Sequence, residues 1–433
     1  MAGQGEGARP RVGPAWLAKY IVWLYRSTMT TTIPLLHDNH NHVSLYAAFS
    51  SCIDISRSAP DAALALLRGL PEDRLSVVRG WKSFELPMTS EELSSLPPII
   101  LINFSLHGFV VSDSGVPFLE TTVPEVASMR NDQAWCEANV PPIFAAYCGL
   151  AGLDAKKLGE YIDRMLPLGI GSSDEMTVPT IQALDVCSSS PYDKRLNYWV
   201  APALYEKMDI ARRGLVSGIK LFLDGAVGSR SAAIEGPWIG PGKAMFTYAD
   251  DVLLAILRRA GAYGTGLSAH AIGELAIEQA LSAIEVAVRE GARFRTIRLE
   301  HVQYIDVNQA RRAKDLGIVL SMQPNFTSDS IDYTDRLTES YLKRNNPFRM
   351  LIDEVGFEPG RDMLFGSDGM PDGIAYAATQ ALFPAYPSQR LSLDELVAGY
   401  GTAKGVSGTV TLDIDDTERR VSVSGTSPVR LAP

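Results

Sequence analysis

The sequence predicts an α/β protein whose main body is a TIM (β/α)8 barrel, a ring of parallel strands enclosed by helices. Short apolar segments alternate with longer amphipathic segments through most of the chain, which is typical of a parallel sheet. Eight strand segments can be counted, which is the number in this barrel. An open, doubly wound sheet is the competing arrangement, and the placement of the reactive residues favours the barrel. The predicted strands are 32–38, 169–174, 196–203, 218–224, 264–271, 295–302, 317–325 and 363–368.

Two regions fall outside a simple barrel. The stretch between the first two predicted strands is far longer than a normal loop, and we expect an inserted lid or subdomain over about 43–165. The C-terminal residues 406–433 are predicted to form a β-hairpin appendage with a polar turn. The chain is therefore divided into an N-terminal segment, 1–31, a barrel domain, 32–405, which includes the insertion, and the appendage.

Composition excludes several classes of protein. The chain of 433 residues has 50 acidic and 40 basic side chains, and its net charge of -10 argues against nucleic acid or an anionic membrane as partner. Its four cysteines form no C-x-x-C pair, so they are expected to be reduced. The apolar stretch 14–25 is interrupted by Lys19 and is too short to span a bilayer. We expect a cytoplasmic enzyme, a homodimer, that acts on a small molecule.

Histidines mark the ends of the predicted strands. The chain has only six, and five lie at or just past the carboxyl end of a strand, where active sites form in this barrel. His40 and His42 follow the first strand, and the two-residue period of a strand places both on one face. Two imidazoles on one face can share a metal ion, whereas His37 is out of phase with them. The alternative is a polar loop with solvent-exposed histidines.

The later strands supply three further candidate ligands. His270 and His301 each follow a buried strand, and these two strands are successive in the barrel. A lone histidine at such a position is more often a core residue, but together with His40 and His42 the pair indicates a metal site. Asp368 ends the last strand, where a carboxylate can bind a metal and accept a proton from water. Its alternative role is to cap the next helix.

Lys220 lies within an apolar strand, where a bare ammonium group is costly. One solution is a salt bridge to Asp224 or Asp368. The other is carbamylation by CO₂, which converts the amine into a carboxylate that can bridge two metals. We favour the carbamate.

These residues, in this order, resemble the amidohydrolase superfamily, and within it the amidohydrolase 3 (YtcJ-like) metal-dependent hydrolases. The resemblance covers about residues 32 to 405. Only about 35 residues precede the first strand, so the β-sandwich usual in the family is expected to be reduced. The motifs that carry the resemblance are D-N-H-N-H at 38–42, the lysine strand followed by D-G-A-V-G-S-R at 224–230, H-A-I-G-E at 270–274, E-H at 300–301 and S-D at 367–368.

The resemblance implies a binuclear centre, with zinc as the default ion and another divalent metal as the alternative. His40 and His42 would bind one metal together with Asp368, and His270 and His301 the second. Carbamylated Lys220 would bridge the two. The implied reaction is hydrolysis of a C–N bond in an amide, formamide or cyclic amide by a metal-activated water, with Asp368 as the catalytic proton carrier.

Two other functions remain open on the sequence. A mononuclear deaminase of the same superfamily would give Lys220 no role. A non-catalytic scaffold barrel would be expected to lose ligands, and this chain keeps them.

Substrate contacts are expected from residues near the rim. The family resemblance suggests that Trp81 and His107 of the insertion line the pocket, although both can equally be subdomain core. Gln323 and Asn325 follow the seventh strand, and Arg230 follows a glycine-rich turn, where it can meet an anionic group or pair with a carboxylate.

Overall fold

The main sheet is a ring of eight parallel strands. A computed structural model describes residues 28–82, 85–103, 108–130, 132–427 and 430–431. Each strand of the main sheet is hydrogen-bonded to the next along the chain. The predicted (β/α)8 barrel is confirmed, and each of the eight predicted segments overlaps one strand of the barrel sheet. These strands are Leu36–Asn41, Ile170–Val178, Leu196–Val200, Val216–Phe222, Gly266–Ala271, Ile297–His301, Val319–Met322 and Met363–Phe365.

The ring closes where the eighth strand meets the first. The backbone N–H of Asp368 donates to the carbonyl of His40 at 2.7 Å, and that of Ser367 donates to the Asp38 carboxylate at 2.9 Å. Gly366 allows this approach, because a Cβ atom there would overlap the backbone nitrogen of His40. The closing edge therefore brings two predicted ligand residues together.

Helices cover the outside of the barrel, so its strands are buried on both faces. Helix Glu274–Arg289 buries Ala276, Ile277, Ala280 and Leu281 at helical spacing against the sheet. Among the described residues, none of the helices is long and apolar enough to cross a lipid bilayer. The helices after the second strand are Ile181–Ser188, Pro202–Lys207, Ile210–Leu215, Asp250–Tyr263, Glu274–Arg289, Val307–Asp315, Asp329–Asp332, Glu339–Arg344, the π-helix Met350–Val355, Ile374–Leu382 and Leu393–Tyr400. Short 3₁₀ turns are Leu166–Leu168, Asp193–Arg195, Pro324–Ser328 and Pro387–Gln389.

The long connection between the first two strands has its own sheet and its own small core. The sheet strands are Ile53–Asp54, Ser76–Trp81, Ile99–Asn103 and Phe109–Val111, paired in that order. The first three are parallel and the last is antiparallel. The helices and 3₁₀ turns of this region are Val43–Ala48, Phe49–Ser51, Pro60–Arg68, Ser90–Ser95, Asp113–Gly115, Val116–Leu119, Val126–Met129, Gln133–Ala138, Val140–Ala151 and Ala155–Met165.

A three-stranded antiparallel sheet packs beside the barrel. The predicted C-terminal hairpin forms from Thr409–Asp415 and Arg420–Thr426, and Thr28–Pro34 pairs with the first of these strands. A short pair, Val406–Ser407 and Arg430–Leu431, lies next to it. The predicted strand 32–38 is wrong in its extent, because the chain passes at Leu35 from this sheet into the barrel. The Leu35 N–H still donates to Gly408, whereas that of Leu36 donates to Gly169.

Candidate metal centre

The six predicted ligand side chains come from five barrel strands and their ends. Four lie within strands or end them, and His42 and Asp368 follow the first and eighth strands. The four histidines and the lysine are buried, and the Asp368 side chain is partly buried, with 13% of its surface exposed. They are His40, His42, Lys220, His270, His301 and Asp368.

His40, His42 and Asp368 gather at the closing edge of the barrel. The Nε2 atoms of His40 and His42 lie 3.7 and 3.4 Å from Oδ1 of Asp368. One donor atom from each of the three lies within 4.8 Å of the other two. Asp368 has a φ of +57°, a strained value for a residue other than glycine, and Tyr46 donates its hydroxyl to the Asp368 carbonyl at 3.1 Å. The fold therefore fixes the backbone that carries this carboxylate.

His270 and His301 extend the same cluster. The ring centre of His301 lies 4.7 Å from that of His40 and 4.6 Å from that of His270. His301 Nδ1 lies 2.6 Å from Gln323 Oε1, an acceptor, so the His301 lone pair is on Nε2. His270 Nε2 lies 3.2 Å from the Gly225 carbonyl, which places its lone pair on Nδ1. The second pair of imidazoles thus has one nitrogen each set up to bind a metal.

Lys220 lies on the fourth strand with only 1% of its surface exposed. Among the described residues its Nζ has no hydrogen-bond partner, and it lies 5.2 Å from the centre of the Phe222 ring. Burial lowers the pKa of the Lys220 amine to about 8, against the opposing charges of Glu300 and Asp368. Asp224, one candidate salt-bridge partner, accepts instead from the backbone N–H groups of residues 233, 272 and 273.

Two of the ligand imidazoles, those of His40 and His301, have lowered pKa values, which favour their neutral form. Burial, followed by the charge on Lys220, lowers the pKa of His40 to about 4. Burial and the neighbouring His270 place the pKa of His301 well below its usual value. Neutral imidazole is the form that binds a metal ion.

Sequence reasoning missed a network of charges beneath these ligands. Glu300 lies 2.7 Å from His40 Nδ1, and Arg298 bonds to Glu300 and to Asp174. Burial raises the pKa of Glu300, but Arg298 and His40 outweigh it and hold that pKa well below the usual range. The available signal was the spacing of Arg298 and Glu300, which places both on one face of a buried strand. His37, judged out of phase, bonds instead to Ser172 at 2.7 Å and to Asp174 at 2.9 Å.

Two of the candidate substrate residues support the ligands. Gln323 accepts from His301, as described above. Asn325 donates its amide to the carbonyls of Ser367 and Met370, each at 2.7 Å, and so holds the turn that carries Asp368. Nε2 of Gln323 and Oδ1 of Asn325 are buried and have no hydrogen-bond partner among the described residues.

Two further candidate substrate residues, Trp81 and Arg230, have their observed partners outside the cluster. Trp81 lies in the small core of the insertion, and its indole N–H donates to the Leu86 carbonyl at 2.7 Å. Arg230 pairs with Asp335 at 3.1 Å, at a φ of +56°. His107 lies outside the described residues.

The insertion reaches the cluster through other side chains. The Phe144 ring, on helix Val140–Ala151, lies 5.7 Å from that of His42 and 6.4 Å from that of Phe222. Glu137 is buried and accepts from Ser229 at 2.8 Å and from Ser231 at 3.0 Å. The insertion therefore packs against both the first strand and the loop that follows the fourth.

The residues present fit a divalent cation. Imidazole nitrogens and a carboxylate oxygen are the donors that zinc and related ions take. An amine buried without a hydrogen-bond partner is costly, and Lys220 Nζ has none in the part of the chain that the structure describes. The donor set and this orphaned amine are the two observations that make the cluster a candidate metal centre.

Comparison with known families agrees with the motifs. The model of the amidohydrolase family matches residues 201–400, which include Lys220, His270, His301 and Asp368. The predicted resemblance to this family is confirmed. His40 and His42 precede the matched residues.

Two curated relatives match a short part of the chain. A Bacillus subtilis protein, YtcJ, whose name places it among the amidohydrolases, is 32% identical over 139 residues, which cover 31% of this chain and 26% of the relative. The Arabidopsis thaliana protein LONG AFTER FAR-RED 3 is 32% identical over 143 residues, 32% of this chain and 24% of the relative. The matches thus span about a quarter of the length of these relatives.

Two solved structures share the fold across most of the chain. An uncharacterised metal-dependent hydrolase from Pyrococcus furiosus superposes with a TM-score of 0.62 at 21% identity, covering 86% of this chain and 81% of that one. A second, from Pyrococcus horikoshii, gives 0.61 at 21% identity, with 85% and 79% covered. At this identity the likeness establishes the barrel fold.

Proposed function

We propose that this chain, whose residues 201–400 match the amidohydrolase family, is a metal-dependent hydrolase. Its substrate class is a small molecule with a carbon–nitrogen bond in an amide, a formamide or a cyclic amide. The observation that carries the proposal is the convergence of four imidazoles, a carboxylate and an orphaned buried amine at one end of the barrel.

The ligands divide into two groups. His40, His42 and Asp368 would hold one divalent ion, since their donor atoms already lie within 4.8 Å of one another. His270 and His301 would hold a second through the lone pairs identified above. Zinc is the proposed metal, two ions per chain, because these ligands suit it.

Lys220 would join the two groups as a carbamate. Its amine nitrogen adds to the carbon of CO₂ and loses a proton, so one N–C bond forms and nothing is oxidised. The reaction needs the neutral amine, and the lowered pKa of Lys220, about 8, makes that form accessible near neutral pH. The product is a carboxylate whose two oxygens can satisfy two cations.

Asp368 is the proposed proton carrier. A divalent ion bound at the centre supplies an acidified water and polarises a carbonyl. Asp368 lies beside the imidazoles of His40 and His42, so its carboxylate can take a proton from a water held there and later deliver it to the leaving nitrogen. The apolar rings of Phe144 and Phe222, which pack beside this cluster, would limit the access of bulk water to it.

The insertion is proposed to act as a lid over this centre. Phe144 and Glu137 bring it against the His42 side and the loop after the fourth strand. Arg230 borders the same loop, and its partner Asp335 is half exposed, so an anionic substrate group could compete for the guanidinium. The enzyme is further proposed to be cytoplasmic and dimeric.

The test is a hydrolysis screen over N-formyl, N-acyl and cyclic amides, with metal analysis of the same preparation. We expect about two divalent ions per chain and turnover of at least one class. Ammonia release from nucleobases with one ion per chain would instead indicate a deaminase, and a metal-free, inactive preparation a scaffold. Lys220→Ala protein that keeps two ions and full activity would overturn the binuclear assignment.

A further inference from the structure

A second carboxylate touches the candidate metal centre from inside the barrel. Glu300 precedes His301 on the sixth strand, is fully buried, and places Oε2 2.7 Å from Nδ1 of His40. The opposite nitrogen of His40, Nε2, faces Asp368 at 3.7 Å. Glu300 and Asp368 therefore lie on opposite edges of one imidazole ring.

The other neighbours of Glu300 all donate to it. Arg298 gives one hydrogen bond from Nε to Oε1 at 2.8 Å and another from Nη2 to Oε2 at 3.1 Å. Ser268 adds a third, to Oε1 at 2.8 Å. An arginine has donors only, so the carboxylate serves as acceptor throughout this arrangement. The hydrogen bond between Glu300 and His40 therefore requires a proton on Nδ1 of the His40 ring.

Arg298 also holds the chain beside His40. Its Nη2 donates to the carbonyl of Asn39 at 2.6 Å and to Ser321 at 2.9 Å, and its Nη1 pairs with Asp174. One guanidinium thus fixes the backbone before His40 and the carboxylate behind its ring. Lysine has no planar fork of donors and could not make these contacts together.

We propose that Glu300, held by Arg298, is a positioning residue that keeps the proton of His40 on Nδ1 and directs the Nε2 lone pair toward Asp368. The inference rests on the proposed function, in which Nε2 binds a metal. A carboxylate behind a ligating imidazole fixes the ring and makes it a stronger ligand. His301 is held in a comparable way by the neutral Gln323, so Glu300 gives the His40 side the stronger support.

The test uses the full chain labelled with ¹⁵N-histidine and stripped of metal. Nitrogen spectra of the wild type should show His40 protonated at Nδ1 and bare at Nε2. In Glu300→Gln the amide can donate to Nδ1, so the proton should move to Nε2 in a measurable fraction of molecules. Affinity for Zn²⁺ should fall about 10–100-fold. Glu278→Gln is the matched control, since Glu278 also accepts from an arginine and a serine but touches no histidine.

A His40 proton found on Nε2 in the wild type would overturn the inference, as would unchanged tautomer and zinc affinity in Glu300→Gln. If that variant fails to fold, the wild-type spectrum decides alone. If the wild type binds no zinc, the proposed function fails, while the tautomer still tests the role of Glu300.

Discussion

The two halves of the candidate metal centre are built differently. His40, His42 and Asp368 come together where the barrel closes, and their unmodified side chains already provide three donor atoms within 4.8 Å. The half around His270 and His301 offers two imidazoles, and its third group is the Lys220 amine, which has no hydrogen-bond partner within the described residues. The first half therefore depends on closure of the fold, and the second depends on chemistry at Lys220.

The largest expected effect is in the first half. Asp368→Asn keeps the shape of the side chain but removes the charge and the proton acceptor. We expect kcat to fall about 10²–10⁴-fold, the usual contribution of general acid–base catalysis. The measurement is kcat on the best substrate of the screen, together with metal content. Asp362→Asn, which alters a surface carboxylate paired with Lys314, should leave kcat unchanged; equal losses in both variants would contradict the assignment.

Lys220→Met tests the second half. Methionine fills a similar volume but cannot form a carbamate, so we expect about one bound ion per chain and a large loss of activity. Removing an unpartnered buried amine should also stabilise the metal-free protein by about 1–3 kcal/mol. Metal analysis and denaturant unfolding measure the two effects.

The stability of the metal-free protein should change with pH in a defined direction. The pKa of Lys220 is about 8 in the folded protein and normally 10.5, so the unfolded chain binds more protons between these values. Relative to Lys220→Met, the metal-free wild type should become more stable as pH rises from 8 to 10.5. If the difference in stability between the two proteins does not change across this pH range, the pKa of Lys220 is not lowered in the folded protein.

Gly366→Ala should damage the first half through the backbone. The added Cβ would overlap the nitrogen of His40, so we expect a loss of about 1–3 kcal/mol in the free energy of unfolding. Gly149→Ala is the control, because a Cβ there meets nothing within 4 Å and lies within a helix, where alanine is favoured. If the two variants are equally stable, the close approach at Gly366 is not what closes the barrel.

The smallest effect is expected away from both halves. Trp81→Phe removes the hydrogen bond to Leu86 within the insertion core, which should cost about 1 kcal/mol of stability. Values of kcat and KM for the best substrate should not change. A rise in KM beyond the loss of stability would place Trp81 in the substrate pocket after all.

Local sequence was sufficient for the barrel strands but not for every pairing. Strands buried on both faces leave apolar runs that can be counted, and all eight runs correspond to strands. The division at Leu35 could not be read in the same way, because it is set by pairing of Thr28–Pro34 with residues almost 400 positions later. This strand pairing forms only in the folded chain, so the local sequence pattern does not indicate it.

For the site, the sequence indicated which residues gather but not what holds them. His40 and Asp368 were predicted to lie close together, and they do. The substrate contact predicted for Gln323 stays a prediction, and the contact of its Oε1 atom with His301 was not foreseen. The direction of an inward side chain depends on which residue faces it across the closed barrel, which the sequence of one strand does not specify.

The most direct test of a two-half centre is titration of the metal-free full chain with Zn²⁺, with and without bicarbonate as a source of CO₂. We expect two ions per chain when bicarbonate is present, and about one when CO₂ is excluded, because only the His40, His42 and Asp368 half is complete without a carbamate. No binding in either condition, or two ions bound equally well without CO₂, would contradict this account.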